Sequence, residues 1–349
     1  MLPPPTLRTL RTLRTIRTLV GGGEVLPGSR NHGITSSGAQ DIDFSSVMSK
    51  ISGFLLIRGF FMEDLFFILN SKRFMPFSVT FVFIYGLLFG SFLNVCIYRI
   101  PLGKSIVFPP SSCTKCGHKI TWYENIPVFS WIFLRGKCSG CGEKISLIYP
   151  VIELLNAFLY LFAFLKFGFY PRLIFPLYFI SALVVTAAID YRTQFVYSKV
   201  IIPPIFMGIL WSFFEPSFSW QQSLIGIGVG AGFLLLAILI FYLVTKKIGM
   251  GLGDVWILAA IGAFTGPVMV PFILLIASLG GILFYLAAKL IFGKKRIAGN
   301  ISAEDLNSKE EKDVEHAIYF GPFLAFGGLV MFLLPTEIIN SMLSFFFGW

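Results

Sequence analysis

Ala182-Leu-Val-Val-Thr-Ala-Ala-Ile-Asp190 is an apolar run that closes on a carboxylate. Gly249-Met-Gly-Leu-Gly-Asp254 closes on a second, after Lys246 and Lys247 and just before another apolar run. An ionisable group at such a boundary is costly, so function is its default explanation. Two carboxylates that converge would share a proton and suit acid–base chemistry on a substrate reached from the membrane. Whether they converge depends on how the apolar runs cross a bilayer.

The 349 residues are 56% hydrophobic and 13% charged, against about 25% charged in a soluble domain. Mean hydropathy is +0.79. This composition predicts an all-α polytopic membrane protein. The net charge of +10 then marks loops held on the cytoplasmic side and calls for no nucleic acid partner.

Residues 1–50 differ from the rest. Leu7-Arg-Thr-Leu-Arg-Thr-Leu-Arg-Thr-Ile-Arg-Thr-Leu19 repeats every three residues and leads into Gly- and Ser-rich sequence. A period of three drifts around a helix and encodes no buriable core. The expectation is a disordered extension or one that precedes the true start codon, with a targeting arm as the alternative. Residues 51–76 are apolar but interrupted by Arg58, Glu63 and Asp64, which fits an interfacial helix.

A span needs about 20 apolar residues. The candidates are 77–98, 148–168, 173–190, 199–214, 222–245, 253–266, 268–292 and 318–346, about eight transmembrane helices, with Pro335 marking the last for a kink or break. Lys and Arg concentrate in 99–147, 191–199, 246–247 and 293–317. Alternating the spans puts all four on one side, the cytoplasm. Asp190 then leaves its span, and Asp254 enters its own, at the same face and depth.

Taken alone, Gly251-Leu-Gly-Asp254 also fits an ordinary helix cap, because a carboxylate at a helix start is favoured by the dipole. Gly251 and Gly253 would give the backbone room around an active site. The second aspartate at matched depth favours catalysis. One carboxylate would activate water while the other, protonated, donates to a scissile carbonyl. His32, His118 and His316 offer no nucleophile pairing. The other class weighed is a proton- or ion-coupled transporter using the same two acids.

Cys113-Thr-Lys-Cys116 and Cys138-Ser-Gly-Cys141, with 21 residues between the pairs, have the spacing of a zinc ribbon, each followed by a glycine suited to a knuckle turn. The alternatives are disulfides or free thiols, and a reducing cytoplasmic loop disfavours the former. Four thiolates would close the site, so its zinc would be structural. The lone Cys96 fits packing. Glu153 reads as a helix cap or a partner for a basic residue, and Arg99 as a snorkelling anchor.

These motifs together resemble the type IV prepilin peptidase (leader peptidase) family, membrane aspartic proteases with a Gly-x-Gly-Asp motif. The resemblance covers about residues 77–335. It rests on Gly90-Ser-Phe-Leu-Asn-Val-Cys-Ile-Tyr-Arg-Ile-Pro101, the two cysteine pairs, Trp122-Tyr-Glu-Asn-Ile-Pro127, Tyr149-Pro-Val-Ile-Glu153, Ala187-Ala-Ile-Asp190, Gly249 to Asp254 and Tyr319-Phe-Gly-Pro-Phe-Leu-Ala325. It implies cleavage of the basic leader of prepilins or pseudopilins after a glycine, at the cytoplasmic face of the bacterial inner membrane, with Asp190 and Asp254 as the catalytic pair. It also implies N-methylation of the new terminus with S-adenosylmethionine, in which Gly136 and Lys137 match positions implicated in that family. Trp256 stands where the family commonly has Lys, and Val196-Tyr197-Ser198 where it has Ile-Pro-Asp. Both bear on substrate preference. The expected layout is a first transmembrane helix at 77–98, a small cytoplasmic four-cysteine domain at 99–147 and a membrane peptidase domain at 148–349.

Overall fold

The computed structural model describes residues 65–246, 251–292 and 320–347. The extension at 1–50 and most of the expected interfacial helix lie outside the described residues. Residues 65–69 form a short helical stretch. Asn70 then ties this segment to the connection after the second long helix, donating to Phe169 O (3.2 Å) and accepting from Phe169 N–H (2.8 Å).

The described chain is all-helical, apart from two isolated bridges in the cysteine loop. Helix α1 (Met75–Arg99) is followed by that loop, which carries the short α2 (Phe129–Phe133). Then come α3 (Ile148–Phe167), α4 (Ile174–Thr193), α5 (Ser198–Phe214), α6 (Trp220–Thr245), α7 (Leu252–Thr265), α8 (Val270–Phe292), α9 (Gly321–Leu333) and α10 (Thr336–Phe347). All eight apolar runs expected from the sequence are helical. Five stretches are long and apolar enough to cross a membrane: Met75–Arg99, Ile148–Phe167, Pro171–Thr193, Trp220–Thr245 and Pro267–Ala287. A sixth is added if α9 and α10 count as one broken span, and α5 and α7 are shorter apolar helices. Thr336 follows Pro335, and the chain bends there by 103°. Phe346 on α10 packs edge-on against Phe272 of α8, centroids 5.4 Å apart.

Helix α7 sits at the centre. Ile257, Leu258, Ala260, Ile261 and Ala263 are all fully buried. A helix apolar all round is stable only when surrounded; α5, α6 and α9 pack along this one, and α4 reaches it through Phe179 against Phe264. In lipid, close packing has to hold helices together, because hydrocarbon offers apolar side chains no penalty. The α6–α7 contact is built that way. A Cβ on Gly226 would collide with the carbonyl of Gly262, and one on Gly262 with that of Gly226. Beside them Ser223 Oγ donates to Ala263 O at 2.8 Å. Phe179, Phe264 and Phe332 fill the space between α4, α7 and α9, the first pair stacked at 4.2 Å.

One expected boundary moves. Asp190 is not the end of its helix: α4 runs on to Thr193, and Gln194, in the left-handed conformation, caps Asp190 O. The aspartate thus sits on the last helical turn, held by a rigid element.

Candidate active site

Asp190 reaches its place on the inward face of α4 and is 6% exposed. Asp254 lies at the third position of α7, half-buried. The two acids are brought together, close enough for the charge on Asp190 to act on Asp254. Gly251 is the N-cap residue of α7 and has no side chain to cap it.

Gly253 has a steric reason. A Cβ there would lie 2.6 Å from Cγ2 of Val196, in the loop that follows α4. The glycine lets that loop close over the start of α7, and Val196 is one of the positions where the chain departs from the family pattern. Trp256, the other departure, is 44% exposed.

The sequence did not assign Gly321 a role, although it lies within one of the quoted motifs. Its backbone faces the Asp190 carboxylate closely enough to hold it, and a Cβ would strike Asp190 Oδ2. Pro322 follows at the first turn of α9, where a missing N–H costs nothing. The helix start therefore presents bare backbone to the acid. An acid that needs a donor, and a Gly-Pro opening a helix, were the available signals.

Beside the dyad runs an apolar groove of about 1230 Å³, passing Ala187, Ala188 and Tyr191 next to Asp190, and Pro322 and Phe326 on α9. It reaches Lys166, Glu215 and Thr336 at the opposite end of the bundle.

The four cysteines converge. Sγ atoms of Cys113, Cys116, Cys138 and Cys141 all lie within 4.8 Å of one another. Cys113–Cys141 and Cys116–Cys138 are 3.9 and 4.0 Å apart, near the ~3.8 Å edge of a tetrahedron with 2.3 Å metal–sulfur bonds. Each knuckle is closed by backbone bonds, Gly117 N–H to Cys113 O (3.0 Å) and Gly142 N–H to Cys138 O (2.9 Å), with both glycines at positive φ. Backbone N–H groups of Cys116 and Lys115 hold the Cys113 thiol down to about 6. Against the lowering effect of the Glu143 backbone, the neighbouring thiols Cys116, Cys138 and Cys113 push Cys141 up to about 12. Sulfurs this crowded cannot all become anions without a cation between them, so the set fits a metal.

A polar clasp joins the knuckles. Ser139 Oγ donates to Glu124 Oε1, His118 Nε2 lies 3.2 Å from Glu124 Oε2, and the Thr121 N–H donates to the same oxygen at 2.8 Å. These partners, the Ser139 hydroxyl first, hold the Glu124 carboxyl down to about 2. His118, which offered no nucleophile pairing, is thus a structural partner.

Gly136 and Lys137 lie at the start of the second knuckle. Gly136 has φ +65, and a Cβ would sit 2.7 Å from Cζ2 of Trp131. Lys137 is exposed and bridges to Lys144 across the knuckle. Two expectations change. Arg99 does not simply reach for water: its guanidinium donates to Ser105 O (2.9 Å) and Pro109 O (2.7 Å). Glu153 neither caps α3 nor meets a basic residue, but accepts the Val128 backbone N–H at 2.7 Å and a bond from Ser91.

Residues 84–167 match the family model of the bacterial peptidase A24 N-terminal domain, and 177–286 match the type IV leader peptidase family. A prepilin leader peptidase/N-methyltransferase of Dichelobacter nodosus is 33% identical over 290 residues, 75% of this chain and 94% of the relative. One of Pseudomonas putida is 31% identical over 285 residues, 75% of this chain and 93% of that one. One of Myxococcus xanthus is 37% identical over 206 residues, 59% and 62%. No solved structure matches. The transporter alternative has no counterpart among these relatives. The chain belongs to the type IV prepilin leader peptidase/N-methyltransferase family.

Proposed function

We propose that this enzyme, a bifunctional prepilin leader peptidase and N-methyltransferase by family, cleaves with Asp190 and Asp254 as its dyad. The observation that carries this is their approach from two helices, with the Gly321 backbone against the Asp190 carboxylate. Two carboxyls in contact hold one proton between them. The ionised one takes a proton from water, which attacks the scissile carbonyl carbon. The protonated one donates to the carbonyl oxygen, and the departing amine nitrogen takes up a proton as the C–N bond breaks. No acyl-enzyme forms.

The substrate is a prepilin or pseudopilin whose scissile bond lies at the cytoplasmic membrane face. The apolar groove that passes Ala187, Ala188 and Tyr191 receives the apolar part of that substrate beyond the bond. All eight apolar runs cross the membrane or enter it, α5 and α7 as short crossings packed inside the bundle and α9 with α10 as one broken run. In this reading the Asp190 end and the four-cysteine domain face the bacterial cytoplasm, which the Lys- and Arg-rich loops at that end support. The domain layout follows: a first helix, a cytoplasmic four-cysteine domain at 99–147 and the peptidase helices from 148 onward.

Zinc is the metal that suits four thiolates at this spacing, held by Cys113, Cys116, Cys138 and Cys141 in a closed, structural site. S-adenosylmethionine, when bound, supplies the methyl group for the new terminal amine. For methylation the chain contributes Lys137 as an exposed group on the knuckle. Gly136 is covered by Trp131, so it acts by keeping the knuckle in shape, as no cradle for the cofactor opens at that glycine.

Incubation of the purified enzyme with a prepilin and labelled S-adenosylmethionine tests both activities. Leader loss and label transfer are expected together. Cleavage that survives Asp190→Asn or Asp254→Asn would remove the dyad. Metal analysis is expected to give about one zinc per chain, lost when Cys113 and Cys141 are replaced by serine.

A further inference from the structure

Trp122-Tyr-Glu-Asn-Ile-Pro-Val-Phe-Ser-Trp-Ile-Phe133 leaves its large apolar side chains uncovered. Trp122 is 79% and Phe133 81% exposed, and Tyr123, Ile126, Phe129 and Ile132 are exposed as well. Several polar groups of the segment point inward, though Asn125 is exposed. Ser130 Oγ donates to Tyr123 O and Ile126 O, both at 2.8 Å, and the Trp131 indole N–H to Ile145 O at 3.1 Å. The segment is therefore folded inside out for a module surrounded by water, where contiguous apolar patches are rare and mark contact sites.

Its depth identifies the contact. Asn94 donates to Tyr149 O at 3.0 Å, and both border the small cavity lined by Ala188 and Arg192, on either side of Asp190 in sequence. Tyr149 thus marks the level of the dyad. Glu153 lies four residues further along α3, about 6 Å deeper at ~1.5 Å per residue. A Cβ on Gly90, nine residues before the end of α1, would lie 2.7 Å from the Glu153 Cα. Yet the Glu153 carboxylate holds the Val128 N–H at 2.7 Å. The turn that starts α2 therefore lies below the ends of both flanking membrane helices, within about one helical turn of the dyad.

The turn itself is strained. Val128 has φ 63 and ψ −52, with Phe129 N–H reaching Pro127 O at 2.6 Å. That is a positive-φ γ-turn on a β-branched residue, which persists only where its surroundings fix it. Glu153 fixes it, and the turn swings Phe129, Ile132 and Phe133 outward. Around this apolar face residues 99–147 carry seven Lys and Arg against two glutamates, complementary to anionic headgroups.

We infer that Trp122–Phe133 is a lipid-binding wedge, by which the four-cysteine domain lies on the leaflet at the Asp190 end. Ile126, Phe129, Ile132 and Phe133 enter the headgroup–acyl boundary, as apolar faces of interfacial helices do to about 5–10 Å. Trp122 and Tyr123 sit at headgroup level. The partner is an anionic phospholipid surface, and Glu153 is the positioning residue that sets the wedge at its depth.

The test uses the full chain in nanodiscs of phosphatidylglycerol and phosphatidylethanolamine. A photo-crosslinking phenylalanine analogue replaces Phe129 or Phe133 singly, with Lys119 as the water-facing control and Phe81 on α1 as the lipid-facing one. After irradiation, intact mass should show a one-phospholipid adduct at 129, 133 and 81 and none at 119. Lipid capture at 81 without capture at 129 and 133 would overturn the inference. Capture of added prepilin at 133 in place of lipid would overturn it too, assigning the face to substrate. Metal content and cleavage report that each variant is folded. As a second measurement, Ile132→Ser with Phe133→Ser should keep the metal and raise amide exchange across 122–133 about tenfold in nanodiscs. Unchanged exchange would count against the wedge.

Discussion

The two ends of the helix bundle treat their charges in opposite ways. At one end Lys166 donates to Phe332 O at 2.7 Å, and Arg172 lies 3.7 Å from Glu215. Each acid or carbonyl there has a cation beside it. At the other end Asp190 and Asp254 lie near enough for their charges to act on one another, and the neutral backbone of Gly321 is what lies against the Asp190 carboxylate. Matched charges hold α3, α5 and α9 together, and their net worth is modest. Two acids with no cation beside them are costly to bury, and function is the default explanation for such groups. The difference singles out the Asp190 end as the candidate site.

The largest expected effect comes from breaking the unmatched pair. Asp190→Asn or Asp254→Asn should lower kcat for leader cleavage by about 10³-fold or more, in the range of general acid–base contributions. Thermal unfolding should change little, because a pair that already shares one proton loses no ionic attraction and the amide keeps the size of the carboxyl. Next comes Gly321→Ala, which drives a methyl against the Asp190 carboxylate. Misplacement on the order of 1 Å should cost about 10²-fold in kcat, with metal content unchanged.

The opposite end gives the complementary result. Lys166→Met leaves the Phe332 carbonyl without its donor and should cost about 1–3 kcal/mol of stability, read by thermal or denaturant unfolding, while kcat at saturating prepilin stays within about twofold. The smallest effect lies outside the bundle. Because the Glu124 carboxyl is held down to about 2 from the ordinary 4.5, its clasp is at full strength above pH 4.5 and is lost as pH falls toward 2. Protection of the Thr121 amide, corrected for intrinsic exchange, should follow that window. Glu124→Ala should remove it at every pH.

Much of this was legible in the sequence because hydropathy and spacing encode it. The eight apolar runs became helices, and Pro335 marked the 103° bend. The cysteine pairs met as their spacing indicated. What escaped depends on backbone groups, which every residue carries and no sequence pattern flags. Glu153 was expected to find a cap or a cation, and its partner is the N–H of Val128 in another module. Gly321 serves Asp190 through its backbone, across separate helices. The end of α4 was missed because a costly carboxylate looks like a terminus, whereas Asp190 is followed by another helical turn.

The bend at Pro335 has a mechanical consequence. α9 carries the Gly321 amide at one end, and at the other the chain turns by 103° into α10, which locks onto α8 through Phe346 and Phe272. A helix lying across the axis of its neighbour acts as a flange: α9 cannot slide along its own length without dragging α10 with it. The Asp190 end is thereby kept in vertical register from the far side of the molecule.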